Sequence, residues 1–234
     1  MVTWGEVYLT RLRGCAALVD QELGEIGDRD RSVRLVDSDA RTVEEGFDRG
    51  VLELDDDGRV RTLDRRQRPV SLLTDDPLQP CWQTLAQLAA YVELLRLGYP
   101  GPAVRFATGE DELALDLAAV NENGQVLVLG IARAEALLLS RVEALVPTFE
   151  GDGPRPVRSA LGCDAHRVAT QLWATGAPYL WLTAPGARRA YRVIYGATIC
   201  LAPVKELPTA LELWPYGFVG ASPRILDAAT ASCG

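Results

Sequence analysis

The sequence is poor in lysine, histidine and methionine, and it contains no long apolar run. Its 234 residues include one lysine, Lys205, one histidine, His166, and one methionine. The five cysteines lie far apart and form no Cys-x-x-Cys pair, which argues against a structural zinc site. No stretch approaches the roughly 18 consecutive apolar residues that a membrane span needs. Any chemistry that requires a lysine therefore has one candidate.

The first residues do not look like an export signal. Residues 1–6 read Met-Val-Thr-Trp-Gly-Glu, with neither a basic n-region nor an apolar h-region. Hydrophobic residues make up 48% of the chain and charged residues 24%, which is typical of a globular protein. We therefore expect a cytoplasmic protein that makes no contact with a membrane and whose cysteines are reduced and mostly buried.

The net charge of −8 argues against a protein that coats nucleic acid by bulk attraction. Residues 1–80 carry 18 acidic and 12 basic residues, so the acidity is concentrated there. A local basic patch stays open as an alternative, because five arginines fall within ten residues. The candidate nucleic-acid-binding residues in that run are Arg59, Arg61, Arg65 and Arg66. The other interpretation of the run is a solvated loop balanced by neighbouring aspartates.

Residues 1–76 predict a small α+β N-terminal domain. The pattern indicates a helix over residues 15–24 and a second helix that begins at Thr42, where Glu45 stands at the capping-box position. Two alternating strands then flank an Asp-Gly turn within residues 50–63, which is a strong hairpin signal. Helices followed by such a hairpin resemble a winged helix, whose wing would carry the arginines at 59 and 61.

Residues 77–234 predict an α/β domain with a mixed sheet flanked by helices. Apolar residues at helical spacing indicate a helix over residues 82–97 that ends at Gly98. The strand 125–133 is almost continuously apolar and should be buried on both faces. The remaining predicted elements are strands at 103–107, 112–120, 179–184 and 189–195 and helices at 135–145 and 163–174. The chain beyond these is expected to be irregular, with a short helix near the end.

The order of helix, strand, hairpin, strand, helix, helix and strand over residues 80–200 is similar to the core of the PD-(D/E)XK nucleases. In that family an aspartate ends the first hairpin strand, and the second strand ends in Glu/Asp-x-Lys directly before a helix. Asp116 matches the aspartate, whereas Ile131 and Arg133 stand where the acid and the lysine are expected. The glutamate that the preceding helix supplies in many relatives is matched by Glu93.

The departures from the motif bear on the chemistry that the resemblance implies. Phosphodiester hydrolysis needs a divalent cation held by at least two carboxylates, and it profits from a lysine near the developing charge. Isoleucine supplies no ligand, and arginine stays protonated and cannot act as a base. The resemblance therefore implies a catalytically degenerate protein without a cofactor, whose partner is DNA, another protein or a second copy of the chain.

An active nuclease with displaced ligands is the alternative. Glu135 follows Arg133 by two residues and, with Asp116 and Glu93, would then hold Mg²⁺ or Mn²⁺. In that case Asp116, Arg133 and Glu135 are the candidate catalytic residues, and Glu112 lies on the same strand face as Asp116. The structural alternatives are an Asp116–Arg133 ion pair, a helix-dipole role for Glu135 and a solvated position for Glu93. An enzyme of another class, acting on a small molecule, also stays open.

His166 and Cys163 lie three residues apart in the second predicted helix and would share one helical face. The unperturbed pKa of imidazole lies near neutral pH, so a proton-transfer role is the functional alternative for His166. No serine or cysteine stands at a recognisable nucleophile turn, so we interpret both residues as structural.

Overall fold

The computed structural model describes residues 2–63, 67–75, 77–106, 114–149 and 164–213. Within these ranges the chain folds into helices and strands that form two sheets. The helices are α1 (Trp4–Leu18), α2 (Asp28–Val33), α3 (Asp37–Asp48), α4 (Trp82–Arg96), α5 (Ala136–Leu145), α6 (Asp164–Thr175) and α7 (Ala210–Leu213). The strands are β1 (Leu52–Leu54), β2 (Arg59–Thr62), β3 (Val70–Ser71), β4 (Val104–Phe106), β5 (Leu117–Val120), β6 (Val126–Ala132), β7 (Tyr179–Ala184), β8 (Ala187–Tyr195) and β9 (Ile199–Val204).

The larger sheet has six strands in the order β4-β5-β6-β7-β8-β9, and its spatial order follows the chain. Strands β6 and β7 pair in parallel, and the other neighbours pair antiparallel. The parallel pair requires a crossover, which α5 and α6 provide. The predicted mixed α/β class with a helix-flanked sheet is confirmed, and the predicted order of elements from α4 to β8 is present.

Helices cover both faces of this sheet and enclose two cores. On one face α4 packs against β4, β5, β6 and β7, with Leu85, Leu88 and Tyr91 fully buried. On the other face α5 and α6 cover Leu129 and Ile131, among other strand residues. Strand β6 is therefore buried on both sides, as its continuous apolar sequence predicts. No helix within the described parts of the chain is long and apolar enough to cross a membrane.

The N-terminal helices and the smaller sheet, of order β1-β2-β3, pack on the same core as α4. Helix α3 lies against α4 at Gly46, where an added Cβ would stand 2.8 Å from the side chains of Leu52 and Val92. The predicted Asp-Gly hairpin is confirmed, because β1 and β2 pair antiparallel around Gly58, whose φ is +71°. The predicted domain boundary at residue 76 and the winged-helix likeness stay predictions.

Several stretches differ from their prediction. The strand predicted over residues 112–120 begins at Leu117 among the described residues. The first helix lies earlier than predicted, at Trp4–Leu18, and its N-cap Thr3 accepts a hydrogen bond from the main-chain N–H of Glu6. The helix expected to begin at Thr42 begins at Asp37 instead, which places Thr42 in its middle. The chain beyond residue 195 was expected to be irregular, but residues Ile199–Val204 form strand β9, which contains Pro203. Pairing with β8 imposes the extended conformation there despite the weak local signal.

Candidate functional site

A buried ion pair lies at the base of the β5–β6 hairpin. Asp116 directly precedes β5 and Arg133 directly follows β6, so the antiparallel pairing of these strands brings the two residues side by side. Arg133 Nη1 donates a hydrogen bond to Asp116 Oδ2 at 2.7 Å, and the main-chain N–H of Ala132 donates to the same oxygen at 3.1 Å. The side chain of Arg133 is only 7% exposed. The Asp116–Arg133 ion pair that the sequence allowed is present.

Arg133 also contacts a second carboxylate, that of Asp164, the first described residue of α6. Its Nε and Nη2 donate to the two oxygens of Asp164, so that one guanidinium bridges two acids. Burial alone would lower the pKa of the Arg133 guanidinium. The hydrogen bonds and charges of Asp164 and Asp116 outweigh that effect and raise the pKa. Arg133 is therefore a permanently charged residue held on both sides, with no capacity to act as a base.

Three side chains of helix α6 contact the β5–β6 hairpin or the residues just before it. Asp164, Arg167 and Gln171 are spaced three and four residues apart, which places them on one helical face. Arg167 Nη2 lies 3.6 Å from Asp116 Oδ1 and 3.7 Å from Asp164 Oδ1, at the exposed rim of the cluster. Gln171 is buried, and its Nε2 donates to the main-chain oxygen of Ala114 at 2.6 Å. The chain just before β5 is thus held from the α6 side.

Helix α4 holds the same segment from the other face of the sheet. The α4 side chain that reaches Asp116 is Gln87, whose Nε2 donates to the main-chain oxygen of Asp116. Glutamine carries no charge and donates through the amide nitrogen here, so α4 adds no carboxylate beside Asp116. Ile131, at the position where the motif expects an acid, is fully buried under α5 and α6.

Glu93 lies away from Asp116, in a second, half-buried ion cluster. Arg188 of β8 donates to both oxygens of Glu93 at 2.9 Å and to Asp39 Oδ1 of α3 at 2.9 Å. The other oxygen of Asp39 accepts the main-chain N–H of Gly186 at 2.9 Å. This cluster joins α3, α4 and the β7–β8 turn on the α4 face of the sheet, whereas the Asp116 cluster faces α6.

Glu135 belongs to a third ion pair, which links the segment after β6 to α2. Arg34 donates from Nε and Nη2 to Glu135 Oε1, and Arg29 lies 3.7 Å from the same oxygen. The hydrogen bond and the charge of Arg34 lower the pKa of the Glu135 carboxyl. Glu135 also takes the N-cap position of α5, but its side chain makes no capping hydrogen bond.

The three predicted metal ligands are thus held by three different arginines, and the structure does not bring them together. Within the described part of the chain, no group of three or more His, Cys, Asp or Glu side chains is placed to hold a metal ion. The further acid considered on the strand face, Glu112, lies outside the described residues. The catalytic and metal-binding roles of Asp116, Glu93 and Glu135 stay predictions.

The predicted nucleic-acid-binding arginines are described in part. Arg59 and Arg61 are exposed and lie on one face of β2, as their spacing requires. Arg61 Nη2 lies 3.3 Å from Asp55 Oδ2, and Glu53 is its neighbour across the hairpin. Arg65 and Arg66 lie outside the described residues. Nucleic-acid binding at this run of arginines stays a prediction.

The remaining sequence candidates lie at separate places. His166 makes an edge-to-face contact with Phe149 at a ring-centroid distance of 5.0 Å, and Cys163 lies outside the described residues. Lys205 follows β9 and is almost fully exposed, and the nearest carboxylate, that of Glu206, lies 3.9 Å away. It lines a groove of about 350 Å³ together with Glu93 and Arg188. Lys205 therefore lies beside the Arg188 cluster and not beside Asp116.

Sequence reasoning missed the partners of the predicted residues. Asp164 and Arg188 complete the two ion clusters, and both lie outside the hairpin that carried the motif. Asp164 precedes the noted His166 by two residues, so an acid on that helix was visible as a signal. Arg188 had no such signal, because it lies 95 residues from Glu93 and 149 from Asp39.

A scan against protein-family models, a search of curated proteins and a search of solved structures find no match to this chain. The likeness to the PD-(D/E)XK core therefore depends on the order of elements, and it stays a prediction. Asp116 stands at the start of the first hairpin strand, β5, and not at its end, where the motif was expected to place it.

Proposed function

We propose that this chain is a catalytically inactive, nuclease-like protein whose core now serves as a binding module. The observation that carries the proposal is the state of the Asp116 carboxylate. One of its oxygens accepts hydrogen bonds from Arg133 and from the main chain of Ala132, and the other lies 3.6 Å from Arg167. A carboxylate neutralised in this way has little capacity left to bind a metal ion.

The neighbouring positions add no metal ligand. The side chain at 131 is apolar and buried, and the α4 residue beside Asp116 is Gln87, which donates to the main chain. Hydrolysis of a phosphodiester by a divalent cation needs at least two carboxylates on the metal. The second acid at the site, Asp164, shares the Arg133 guanidinium with Asp116 instead.

A protein partner is favoured over nucleic acid. Nucleic-acid recognition relies on arginines and lysines that are free to contact phosphates, and the net charge here is −8. Many arginines of the described residues are instead committed to carboxylates of the chain itself. These are Arg11, Arg31, Arg34, Arg41, Arg61, Arg96, Arg133, Arg188 and Arg189.

A plasmid-nicking assay with excess Mg²⁺ or Mn²⁺ tests whether the protein has lost nuclease activity. Supercoiled and single-stranded DNA should remain intact with the wild-type protein. Metal-dependent cleavage that is lost in Asp116→Ala would contradict the proposal and support the active nuclease with displaced ligands. Because Asp116 is buried in an ion pair, the variant is first checked for folding by circular dichroism.

Fluorescence anisotropy with labelled DNA tests the choice of partner. Binding to DNA should be no tighter than the non-specific range of about 10⁻⁴ to 10⁻⁶ M at physiological salt. The variant Arg59→Ala/Arg61→Ala should change this affinity very little. A submicromolar affinity that falls in the double variant and with rising salt would instead establish a nucleic-acid-binding module.

A further inference from the structure

The outer edge of β9 carries main-chain groups that face away from the rest of the larger sheet. The N–H of Val193 in β8 donates to the main-chain oxygen of Pro178, on the β7 side, and Val193 is the register partner of Leu201 in β9. Successive residues of an antiparallel strand turn their N–H and C=O groups to opposite sides. Leu201 therefore turns both groups outward, and so do Ile199 and Pro203, two residues to either side. Proline has no N–H, so its place at 203 costs no hydrogen bond to β8.

Among the described residues, no hydrogen bond reaches these outward groups of β9. The 3₁₀ turn Val146–Thr148 contacts β9 through the core that Val146 shares with Ile199, and within the described chain it makes no main-chain hydrogen bond to the strand. The N–H groups of residues 199 and 201 and the C=O groups of residues 199, 201 and 203 therefore form an open strand edge.

The opposite edge of the same sheet, β4, is closed by a side chain. Gln67 Nε2 donates to the main-chain oxygen of Val104 at 2.9 Å, and Gln67 Oε1 accepts the N–H of Phe106. Proteins protect edge strands by such cover, by charged side chains or by proline. Strand β9 has the proline, which removes one donor, but its residues 199–204 carry no charge. An open, uncharged edge of this kind is a surface to which another strand adds.

The charge around β9 permits a second copy of the chain to approach there. The chain has a net charge of −8, but residues 187–205 contain four basic residues and no Asp or Glu. Two of the four bases are paired with carboxylates of the chain itself. In a two-fold antiparallel pairing, the Arg192 side chains of the two copies lie three strand spacings apart, about 14 Å, which exceeds the Debye length of about 8 Å. The two Lys205 side chains then lie at opposite ends of the paired strands.

The outward groups of β9 are also complementary to themselves. With a two-fold axis through Leu201, its N–H donates to the C=O of Leu201 in the second copy, and the N–H of Ile199 donates to the C=O of Pro203 there. Because the axis repeats each bond, four main-chain hydrogen bonds form. The missing N–H of Pro203 leaves only the C=O of Ile199 without a partner in each copy.

We propose that β9 is a homodimerisation edge, at which two copies of the chain pair antiparallel around Leu201 and join their larger sheets into one continuous sheet. The inference deepens the proposed function, on which it rests for the choice of a protein partner, by naming that partner as a second copy of the chain. The binding module then has a two-fold axis that passes through β9, so the same short segment supplies both sides of the contact.

Sedimentation equilibrium over a concentration series tests the dimer. The wild type should dimerise with a dissociation constant on the order of 10⁻⁵ M, as expected of an interface below the standard size. Leu201→Lys places like charges opposite each other at the two-fold axis and should weaken dimerisation at least about tenfold. Ile194→Lys is the matched control and should dimerise like the wild type, because Ile194 is 50% exposed and lies one strand away on β8. A wild type that stays monomeric throughout the series would overturn the proposal.

Mixing two variants covers the case in which Leu201→Lys alters the fold. Leu201→Glu should by itself be as weak a dimer as Leu201→Lys, for the same reason. An equimolar mixture of the two should form a heterodimer, because opposite charges then face each other across the axis. If the mixture stays monomeric although the wild type dimerises, the contact lies elsewhere and the proposal is wrong.

Cross-linking tests the register. Cys200 is exposed, and its copies in the two chains would be diagonal neighbours across the axis, about 7–8 Å apart. A short bismaleimide should link the wild type into dimers and fail to link Cys200→Ser, and an equal yield in both would contradict the pairing. Metal-dependent cleavage of DNA or submicromolar binding to DNA would instead contradict the proposed function and leave the dimer unchanged, so the two failures are distinguishable.

Discussion

Arg188 joins three elements of the fold, and Arg188→Met is expected to destabilise the protein by about 3 kcal/mol. Its guanidinium makes two hydrogen bonds to Glu93 on α4 and one to Asp39 on α3, each 2.9 Å long. Its Nη1 also donates to the main-chain oxygens of Ala184 and Ala187. Methionine keeps most of the aliphatic volume, so the variant isolates the loss of the charge and its hydrogen bonds.

The magnitude follows from what the variant leaves behind. Burial alone would lower the pKa of the Arg188 guanidinium, but Glu93 and Asp39 outweigh it and raise the pKa. The side chain of Asp39 is 6% exposed in the wild type, and without the guanidinium it would keep one hydrogen bond, from the N–H of Gly186. Removing one partner of a buried ion pair typically costs about 3–5 kcal/mol. The lower end applies because the Glu93 side chain is 27% exposed and water replaces part of the lost interaction.

Urea unfolding followed by circular dichroism measures the difference, and the Tm should fall by about 6–12 °C. The neighbouring variant Arg189→Met is the matched control. Arg189 pairs with the carboxylate of Glu143 and the hydroxyl of Ser140, and its side chain is 33% exposed, so its loss should cost no more than about 1 kcal/mol. If the two variants unfold within about 0.5 kcal/mol of each other, the Arg188 cluster does not stabilise the contact between α3, α4 and β8.

Three further predictions concern other parts of the fold. Ile131→Glu should lower the free energy of unfolding by about 3 kcal/mol or more, because it buries a carboxylate in an apolar core, and a variant as stable as the wild type would contradict the placement of this side chain. Arg34 lowers the pKa of Glu135, so the stability that Glu135 contributes at pH 7 should be lost as the pH falls below 4.5. The difference in free energy of unfolding between the wild type and Glu135→Gln should therefore shrink in acid. A difference that stays the same in acid unfolding experiments would refute the pairing. Burial, followed by the hydrogen bond and the charge of Glu143, raises the pKa of the Tyr191 hydroxyl to about 12. The stability that this raised pKa contributes is present below the ordinary pKa of 10.0, and it is lost as the pH rises from there to about 12. Tyr191→Phe should make the alkaline loss of stability shallower, and an identical pH profile in urea unfolding would count against it.

Five of the six strands of the large sheet were predictable because their signals are local. The apolar run of β6 and the turn residues before it indicate a buried hairpin strand without any knowledge of neighbours. Helix α4 has apolar spacing throughout and ends before Gly98, whose φ of +85° favours glycine. The weaker signals failed where pairing decides the conformation, as in β9, and where a helix start has no side-chain cap, as in α3.

The sequence by itself determined which residues share a face and which charge would need a partner. An aspartate before an apolar strand and an arginine after the next strand become neighbours once the hairpin forms, so the Asp116–Arg133 pair was available from spacing. Only the tertiary structure decided that Arg133 also binds Asp164, that Glu93 faces Arg188 and that Glu135 faces Arg34. Spacing along one element sets the direction of its side chains, whereas the packing of separate helices against a sheet sets which charges meet. That packing depends on contacts distributed over the whole core, and no short stretch of sequence encodes it.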